Sequence, residues 1–264
     1  MINRASIAQW RTTTLWNSNE QVEQDLIICR SLVAIFSDAF LSSQLAFRGG
    51  TALHKLYLTP QSRYSEDIDL VQIDAGPIKP ILMRLGEVLD FLPGKVVKQK
   101  RYNNTMLFRM ESEIPPIVPI RLKIEINCFE HFNELGLLKV PFSVENSWFT
   151  GSCELTTYHL EELLGTKLRA LYQRKKGRDL FDLYKAITDE VVDTGLLLRC
   201  FNRYMDFSVT KAPTYKQFVQ NMEDKMRDPD FLGDMDNLLH PDVTLDMQEA
   251  YQVVKEEIIE MLIE

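Results

Sequence analysis

The chain has 264 residues, of which 45% are apolar, and a formal net charge of −8 at pH 7. This length is enough for a sizeable core in one large or two modest domains. No apolar run approaches the roughly 20 residues of a membrane span, and the N-terminus lacks the apolar core of a signal peptide. The four cysteines and four histidines show neither a CxxC pair nor ligand spacing. We therefore expect a soluble, cytoplasmic protein with reduced thiols and no zinc site.

The first predicted elements are a long helix near residues 20–40 and a glycine turn that opens a short helix at 49–58. The turn has the sequence Arg48-Gly49-Gly50-Thr51-Ala52-Leu53-His54-Lys55. Adjacent glycines let the backbone approach a polyphosphate closely, and a helix that begins near Thr51 directs free N–H groups at anionic oxygens. The segment is thus a candidate triphosphate site, although Gly-Gly before a short helix is also found as an ordinary turn.

A strand over 67–73 follows, within Arg63-Tyr64-Ser65-Glu66-Asp67-Ile68-Asp69-Leu70. Asp67 and Asp69 are two residues apart, so on a strand both carboxylates leave one face while Ile68 and Leu70 enter the core. Mg²⁺ is commonly held by one or two carboxylates together with substrate phosphates, which fits this pair. Ser-Glu-Asp can also cap a helix, but the alternating apolar residues favour a strand.

The middle of the chain predicts a helix near 77–91 and three or four strands between 95 and 150. Three prolines, at positions 115, 116 and 119, mark a turn before the strand Ile120-Arg121-Leu122-Lys123-Ile124-Glu125-Ile126. Its apolar residues alternate with Lys123 and Glu125, which predicts one buried and one charged face. Glu125 can supply a third carboxylate, or this can be an ordinary solvated strand face.

Beyond about residue 155 the pattern is almost wholly helical. Lys167 lies in the middle of a leucine stripe formed by positions 160, 163, 164 and 171. Burying an ammonium group without a partner is costly, so we expect Lys167 to emerge into a cleft and meet an anion such as a phosphate. The alternative is a lysine that extends its charge to solvent from the edge of a packing surface.

A basic turn then leads into a helix, in the sequence Arg174-Lys175-Lys176-Gly177-Arg178-Asp179-Leu180-Phe181-Asp182-Leu183-Tyr184. Asp179 and Asp182 share one side of this helix, and Asp179 lies nearer the edge of the apolar face. We prefer Asp179 as the functional acid, with Asp182 as the other candidate. Either acid can instead complement the helix dipole or pair with Lys175 or Arg178 four residues earlier.

Together these segments resemble a known family. The GGTAL…K segment with R-x-SEDIDL is similar to the first motif of the AbiEii/AbiGii-type nucleotidyltransferase toxins, in the DNA polymerase β-like nucleotidyltransferase superfamily. Thr51 stands where the superfamily often has serine, and Arg-Asp-x-x-Asp-Leu resembles the last motif of the family. The resemblance covers roughly residues 45–185.

The resemblance implies roles for individual residues. Catalytic roles fall on Asp67, Asp69, Glu125, Lys167 and Asp179, and the metal ligands would be Asp67, Asp69 and Glu125, with Mg²⁺ as the ion. Contacts to the nucleotide would come from Gly49, Gly50, Thr51, Lys55, Ser65, Lys123 and Asp182.

The predicted fold is α+β, with a mixed-sheet nucleotidyltransferase lobe over 1–154 and a helical lobe over 155–264 that completes the active-site cleft. Two basic stretches, near 95–101 and 167–178, can contact an RNA backbone, although the first can equally be a solvated face. An acidic stretch after residue 223 suggests a surface for another partner.

By resemblance, the enzyme would transfer a nucleoside monophosphate from an NTP to the 3′ end of tRNA and block translation, and a cognate antitoxin protein would neutralise it. Two alternatives remain. One is nucleotidylation of a protein hydroxyl, and the other is a non-catalytic nucleotide-binding module.

Overall fold

The computed structural model describes residues 2–14, 16–208 and 212–262, which form two units. The first unit contains Met1–Leu56, Tyr64–Asn133 and Leu137–Tyr158, and the second contains Tyr57–Arg63, Glu134–Gly136 and His159–Glu264. Each unit therefore includes segments that are distant in sequence. The division into domains at 154/155 remains a prediction.

The described part of the first unit contains five helices: α1 (Arg4–Thr14), α2 (Asn19–Ser37), α3 (Ala39–Gln44), α4 (Gly49–Leu56) and α5 (Ile78–Val88). Helix α2 begins with a capping box, in which the Ser18 hydroxyl accepts from the Gln21 amide and the Gln21 side chain accepts from the Ser18 amide. Most of α2 is buried, and it packs against the sheet strands described next. The predicted helices near 20–40, 49–58 and 77–91 are confirmed, whereas α1 was not predicted.

Seven strands among the described residues form one mixed sheet in the order β3-β4-β5-β2-β1-β7-β6. Their bounds are β1 (Leu45–Arg48), β2 (Asp67–Gln72), β3 (Val96–Lys98), β4 (Asn103–Glu111), β5 (Pro119–Asn127), β6 (Leu137–Glu145) and β7 (Thr150–Tyr158). The strand β2 lies near the middle, antiparallel to β1 and parallel to β5. The sheet therefore brings the glycine turn after β1, the Asp67–Asp69 strand and the Glu125 strand next to one another.

The outer strands differ from the inner ones. On one side, β3 has only three residues, all exposed, and ends at Lys98. On the other side, β6 pairs only with β7 and contains Lys139 and Pro141, which are both exposed. Most apolar side chains of the inner strands, by contrast, are buried.

The described part of the second unit is helical: α6 (Leu160–Gln173), α7 (Gly177–Asp189), α8 (Thr194–Ser208), α9 (Tyr215–Lys225), α10 (Pro229–Leu232) and α11 (Met247–Glu257), with 3₁₀ turns at Gly233–Met235 and Ile259–Met261. Helix α6 packs against α7 and α8, and α7 packs against α11. The expectation that the chain turns helical at about 155 is wrong by a few residues. Strand β7 continues to Tyr158 because Thr157 pairs with Phe47 of the parallel strand β1.

The α+β prediction is confirmed by this mixed sheet and its helices. No helix in the described ranges is long and apolar enough to cross a membrane. The four cysteines are all free thiols.

Candidate active site

The glycine turn follows β1 directly and touches the acid strand. Gly49 has a φ of +82°, in the left-handed region that favours glycine. A Cβ atom at this position would collide with the Asp69 carboxylate. The contact follows from the strand register, since Arg48 pairs with Asp69 across the antiparallel strands β1 and β2. Only glycine therefore allows the turn backbone and this carboxylate to lie so close together.

Thr51 and Ser65 connect the turn to the start of β2. The two hydroxyl oxygens are 2.7 Å apart, and the Thr51 hydroxyl also donates to the backbone carbonyl of Asp67. Thr51 is only 1% exposed, so its hydroxyl has a defined structural task in the first unit. These bonds fix the backbone that carries Asp67 relative to helix α4.

Asp67 and Asp69 lie on the half-buried face of β2, while Ile68 and Leu70 are buried on the other face. This confirms the alternation inferred from the sequence. In the parallel register, Asp69 is opposite Glu125 and Asp67 is opposite Lys123. The sheet thus brings together the three predicted carboxylates and the predicted phosphate-binding lysine on two adjacent strands.

Lys123 forms ion pairs with two of the acids. Its Nζ is 2.7 Å from Asp67 Oδ2 and 3.5 Å from Glu125 Oε2. Burial raises the pKa of Asp67 to about 6, an effect that Lys123 opposes only in part. Burial lowers the pKa of Lys123, but the neighbouring carboxylates outweigh it and leave the pKa above its usual value. Burial makes the ionised form of a carboxylate unfavourable, and a nearby cation stabilises that form. This face therefore attracts positive charge.

The donor chemistry of this face fits a divalent cation. Asp67, Asp69 and Glu125 supply the hard carboxylate oxygens that Mg²⁺ prefers, and substrate phosphates usually complete its coordination. Within the described ranges, no group of three or more acidic, histidine or cysteine side chains is arranged so that it could hold a metal ion.

Lys55, predicted to contact the nucleotide, has a partner within its own unit. Its Nζ is 2.8 Å from Asp25 Oδ1, and the side chains of both residues are at most 4% exposed. Burial lowers the pKa of Lys55, but Asp25 outweighs this effect and raises the pKa overall. Trp10 Nε1 donates to the second carboxylate oxygen of Asp25. Lys55 thus joins α4 to α2 through a buried ion pair.

In the second unit, Lys167, Asp179 and Asp182 form a buried cluster. Lys167 Nζ is 3.1 Å from Asp179 Oδ1 and 2.7 Å from Asp182 Oδ2. Its side chain is 8% exposed, and both carboxylates are fully buried. The anion that Lys167 was expected to meet in a cleft is therefore supplied by these two acids. Because both carboxylates are equally buried, burial does not show which of the two is the functional acid.

Two arginines complete this cluster. Arg63 donates from Nε and an Nη atom to the two carboxylate oxygens of Asp182, at 2.6 and 2.7 Å. Arg174 forms a similar pair of bonds to Asp179, at 2.7 and 2.9 Å. Burial raises the pKa of Asp179, but Lys167 and Arg174 outweigh it and lower the pKa overall.

The alternative in which Asp179 or Asp182 pairs with Lys175 or Arg178, four residues earlier in the helix, is wrong. Lys175 instead pairs with Asp228, and Arg178 pairs with Asp234. Sequence reasoning also missed Arg63 as the partner of Asp182. The one available signal was the position of Arg63 at the start of the Asp67–Asp69 motif, since the 119-residue separation offers no periodic pattern.

The fold is one that known nucleotidyltransferases share. Several solved structures are similar to the chain, including the three that follow, and at these low identities the likeness concerns the fold. The nucleotidyltransferase toxin MenT4 of Mycobacterium tuberculosis is 16% identical, with 100% of each chain covered and a TM-score of 0.57. A putative nucleotidyltransferase of Helicobacter pylori is 19% identical, with 91% of this chain and 93% of that chain covered and a TM-score of 0.54. JHP933 of Helicobacter pylori is also 19% identical, with 91% and 90% covered and a TM-score of 0.53.

The particular family follows from the sequence. The model of the "Nucleotidyl transferase AbiEii toxin, Type IV TA system" family matches residues 30–253. The chain therefore belongs to the AbiEii family of nucleotidyltransferase toxins, which implies an NTP substrate and an antitoxin partner. No curated protein sequence matches the chain significantly.

Proposed function

We propose that this toxin transfers a nucleoside monophosphate from an NTP to the 3′ end of tRNA, with Mg²⁺ as the divalent cation. The observation that carries the proposal is the contact between the Gly49 backbone and the Asp69 carboxylate, next to Asp67 and Glu125. It sets a turn suited to phosphate oxygens beside carboxylates suited to a cation, which is the pairing that phosphoryl transfer requires.

The proposal assigns a separate task to each site residue of the first unit. The backbone of Gly49 and Gly50 binds the triphosphate, and Thr51 and Ser65 hold the turn against β2. Lys123 balances the charge of Asp67 and Glu125 and moves toward a phosphate oxygen when the nucleotide binds. A terminal hydroxyl of the acceptor attacks the α-phosphorus, its proton passes to Asp67 or Asp69, and pyrophosphate leaves.

Asp67, Asp69 and Glu125 would hold the Mg²⁺. When bound, this ion supplies charge neutralisation at the phosphate oxygens. Nucleotidyltransferases as a class generally use a divalent metal, and the identity of the ion is part of this proposal.

We retain Lys167 and Asp179 as functional candidates of the second unit. Their support is the family resemblance together with a cluster of buried charges, which is costly to maintain and is often found at functional sites. Asp182 is proposed to hold Lys167 in place, since it contacts both Lys167 and Arg63.

A tRNA acceptor is supported by the basic stretch 95–101, whose lysines and arginine are exposed on a chain of net charge −8. The 167–178 stretch gives less support, because five of its cations pair with aspartates. Binding through lysine and arginine to phosphates should weaken steeply as salt increases. MenT4, which shares the fold, is itself described as a nucleotidyltransferase toxin.

The test is to incubate the purified chain with total tRNA, Mg²⁺ and each α-³²P-labelled NTP in turn. Label should enter tRNA with the wild type and not with Asp69→Ala. A useful second control is Asp74→Ala, because it removes an acid beyond the end of β2 and leaves the Asp67–Asp69 face intact. Label that enters protein instead of tRNA would refute the RNA acceptor, and nucleotide binding without pyrophosphate release would refute the transferase activity of this site.

A further inference from the structure

Two aromatic rings lie in contact at the surface of the first unit, near the site strands. Tyr102 precedes β4 and Phe129 follows β5, and their ring centroids are 4.4 Å apart. Tyr102 is 45% exposed and Phe129 is 40% exposed. The guanidinium carbon of Arg101 lies 4.9 Å from the centre of the Tyr102 ring. We name Arg101, Tyr102 and Phe129 the aromatic platform.

Hydrogen bonds fix the segments that carry the two rings. The amide of Cys128 donates to the carbonyl of Tyr102 at 2.8 Å, which joins the start of β4 to the end of β5. The Asn127 side chain accepts from the amides of Phe129 and Glu130, at 2.9 and 2.8 Å, and thereby forms a tight turn. The platform is therefore built on ordered backbone.

The same turn is tied to the glycine turn of the candidate site. Glu130 is 5% exposed, and one of its carboxylate oxygens lies 2.6 Å from an Nη atom of Arg48. Arg48 immediately precedes Gly49, and its strand partner is Asp69. A single chain of contacts thus links Phe129, through Glu130 and Arg48, to the proposed triphosphate turn.

The platform is also close to the site along the chain. Phe129 comes four positions after Glu125, so their Cα atoms are at most about 14 Å apart. Stacked nucleotides rise by about 3.4 Å each, so a strand of roughly four nucleotides can span this distance. An acceptor whose terminal hydroxyl lies at the Asp67–Asp69 face can therefore reach the platform with its next few bases.

The chemistry of the patch specifies the ligand. Arg101 lies over the Tyr102 ring, and Lys98 and Lys100 are exposed a few residues earlier in the sequence, on a chain of net charge −8. Exposed aromatic rings with adjacent arginine and lysine suit the unpaired bases and phosphates of single-stranded nucleic acid. An acidic peptide would use the cations but leave the two exposed rings without a flat partner.

We propose that the aromatic platform stacks unpaired bases at the 3′ end of the RNA acceptor and so positions its terminal hydroxyl at the Asp67–Asp69 face. This inference rests on the proposed function, since it assumes an RNA acceptor. Tyr102 and Phe129 act as binding and positioning residues and take no part in the chemistry.

The test is a binding measurement that does not need catalysis. The probes are a 5′-fluorescent RNA hairpin with a short single-stranded 3′ extension and the same hairpin without it. Binding of each probe is measured by fluorescence anisotropy at fixed salt. Loss of one base stack typically weakens binding about fivefold or more. The wild type should therefore prefer the extended hairpin, and Tyr102→Ala/Phe129→Ala should lose that preference.

Matched variants separate stacking from other effects. Tyr102→Phe and Phe129→Tyr keep the rings and should keep the preference. Phe40→Ala removes an aromatic side chain of similar exposure, 42%, on α3 and should change nothing. Lys98→Ala/Lys100→Ala should weaken binding of both hairpins alike and flatten the salt dependence. Thermal unfolding of each variant checks that it is folded.

Two outcomes would overturn the inference: equal affinity of the wild type for both hairpins, or an unchanged preference in Tyr102→Ala/Phe129→Ala. Failure of the proposed function would look different. In that case the wild type would still prefer the extended hairpin, but the labelling assay would show no transfer to tRNA. If both assays succeed, the double variant should raise the KM for tRNA and leave the KM for NTP unchanged.

Discussion

Replacing Gly49 by alanine tests whether the glycine turn and the acid strand must touch. The φ of +82° costs an alanine about 1–2 kcal/mol. The added Cβ collides with the Asp69 carboxylate, which must then shift by about 1 Å. A displacement of that size in an active site can reduce the rate about 100-fold. We therefore expect Gly49→Ala to fold with slightly reduced stability and to transfer nucleotide about 100-fold more slowly.

Gly136→Ala is the matched control. Gly136 has a φ of +89°, and no heavy atom of the described residues lies within 4 Å of a Cβ built there, its chain neighbours excepted. The substitution has the same backbone cost without a collision, so stability should fall by a similar amount while the transfer rate is kept. Urea denaturation and the ³²P-transfer assay measure the two quantities. Equal transfer rates for Gly49→Ala and Gly136→Ala would refute the reasoning.

Three further substitutions address the buried and half-buried charges. Arg63→Met should lower the free energy of unfolding by about 3–5 kcal/mol, because it removes one cation from the buried Asp182. Urea denaturation measures this loss, and Arg63→Met/Asp182→Leu should be more stable than Arg63→Met alone. Asp179 has a lowered pKa when folded, so its stabilising effect is present above its usual pKa of about 3.8 and is lost as the pH falls through the folded value. The stability gap between wild type and Asp179→Asn should therefore narrow below about pH 4, and a gap that is independent of pH in urea denaturation would contradict this. Lys123→Ala removes a cation 2.7 Å from Asp67 that opposes the effect of burial on this carboxyl, so the pKa of Asp67 followed by NMR should rise, and an unchanged or lower pKa would contradict this.

Local patterns predicted which faces of β2 and β5 carry the charged side chains. The spacing of Asp67 and Asp69 sets the faces of β2, because side chains alternate along any strand. The same argument applied to Lys123 and Glu125, so all four side chains could be assigned to the face opposite the apolar residues before the pairing was known. The pairing itself, with Asp69 opposite Glu125, depends on the sheet order and has no signal in one sequence.

Ion-pair partners were the part that the sequence could not predict. Lys55 and Lys167 were expected to contact nucleotide or phosphate, yet the structure pairs them with Asp25 and with Asp179 and Asp182. A buried lysine signals that an anion is near, but it does not identify the anion. The identity follows from tertiary packing, as for Arg63 and Asp182, which are far apart in sequence.

The outer strands of the sheet have a consequence for how the folded protein behaves in a crowded solution. An open sheet border presents free backbone N–H and C=O groups, which can recruit a strand of another molecule and start fibril growth. Here β3 is short and ends in a lysine, while β6 carries Lys139 and Pro141, and proline has no N–H to offer. Both borders are therefore poor templates for strand addition, and this enzyme should remain dispersed at high expression rather than polymerise edge to edge.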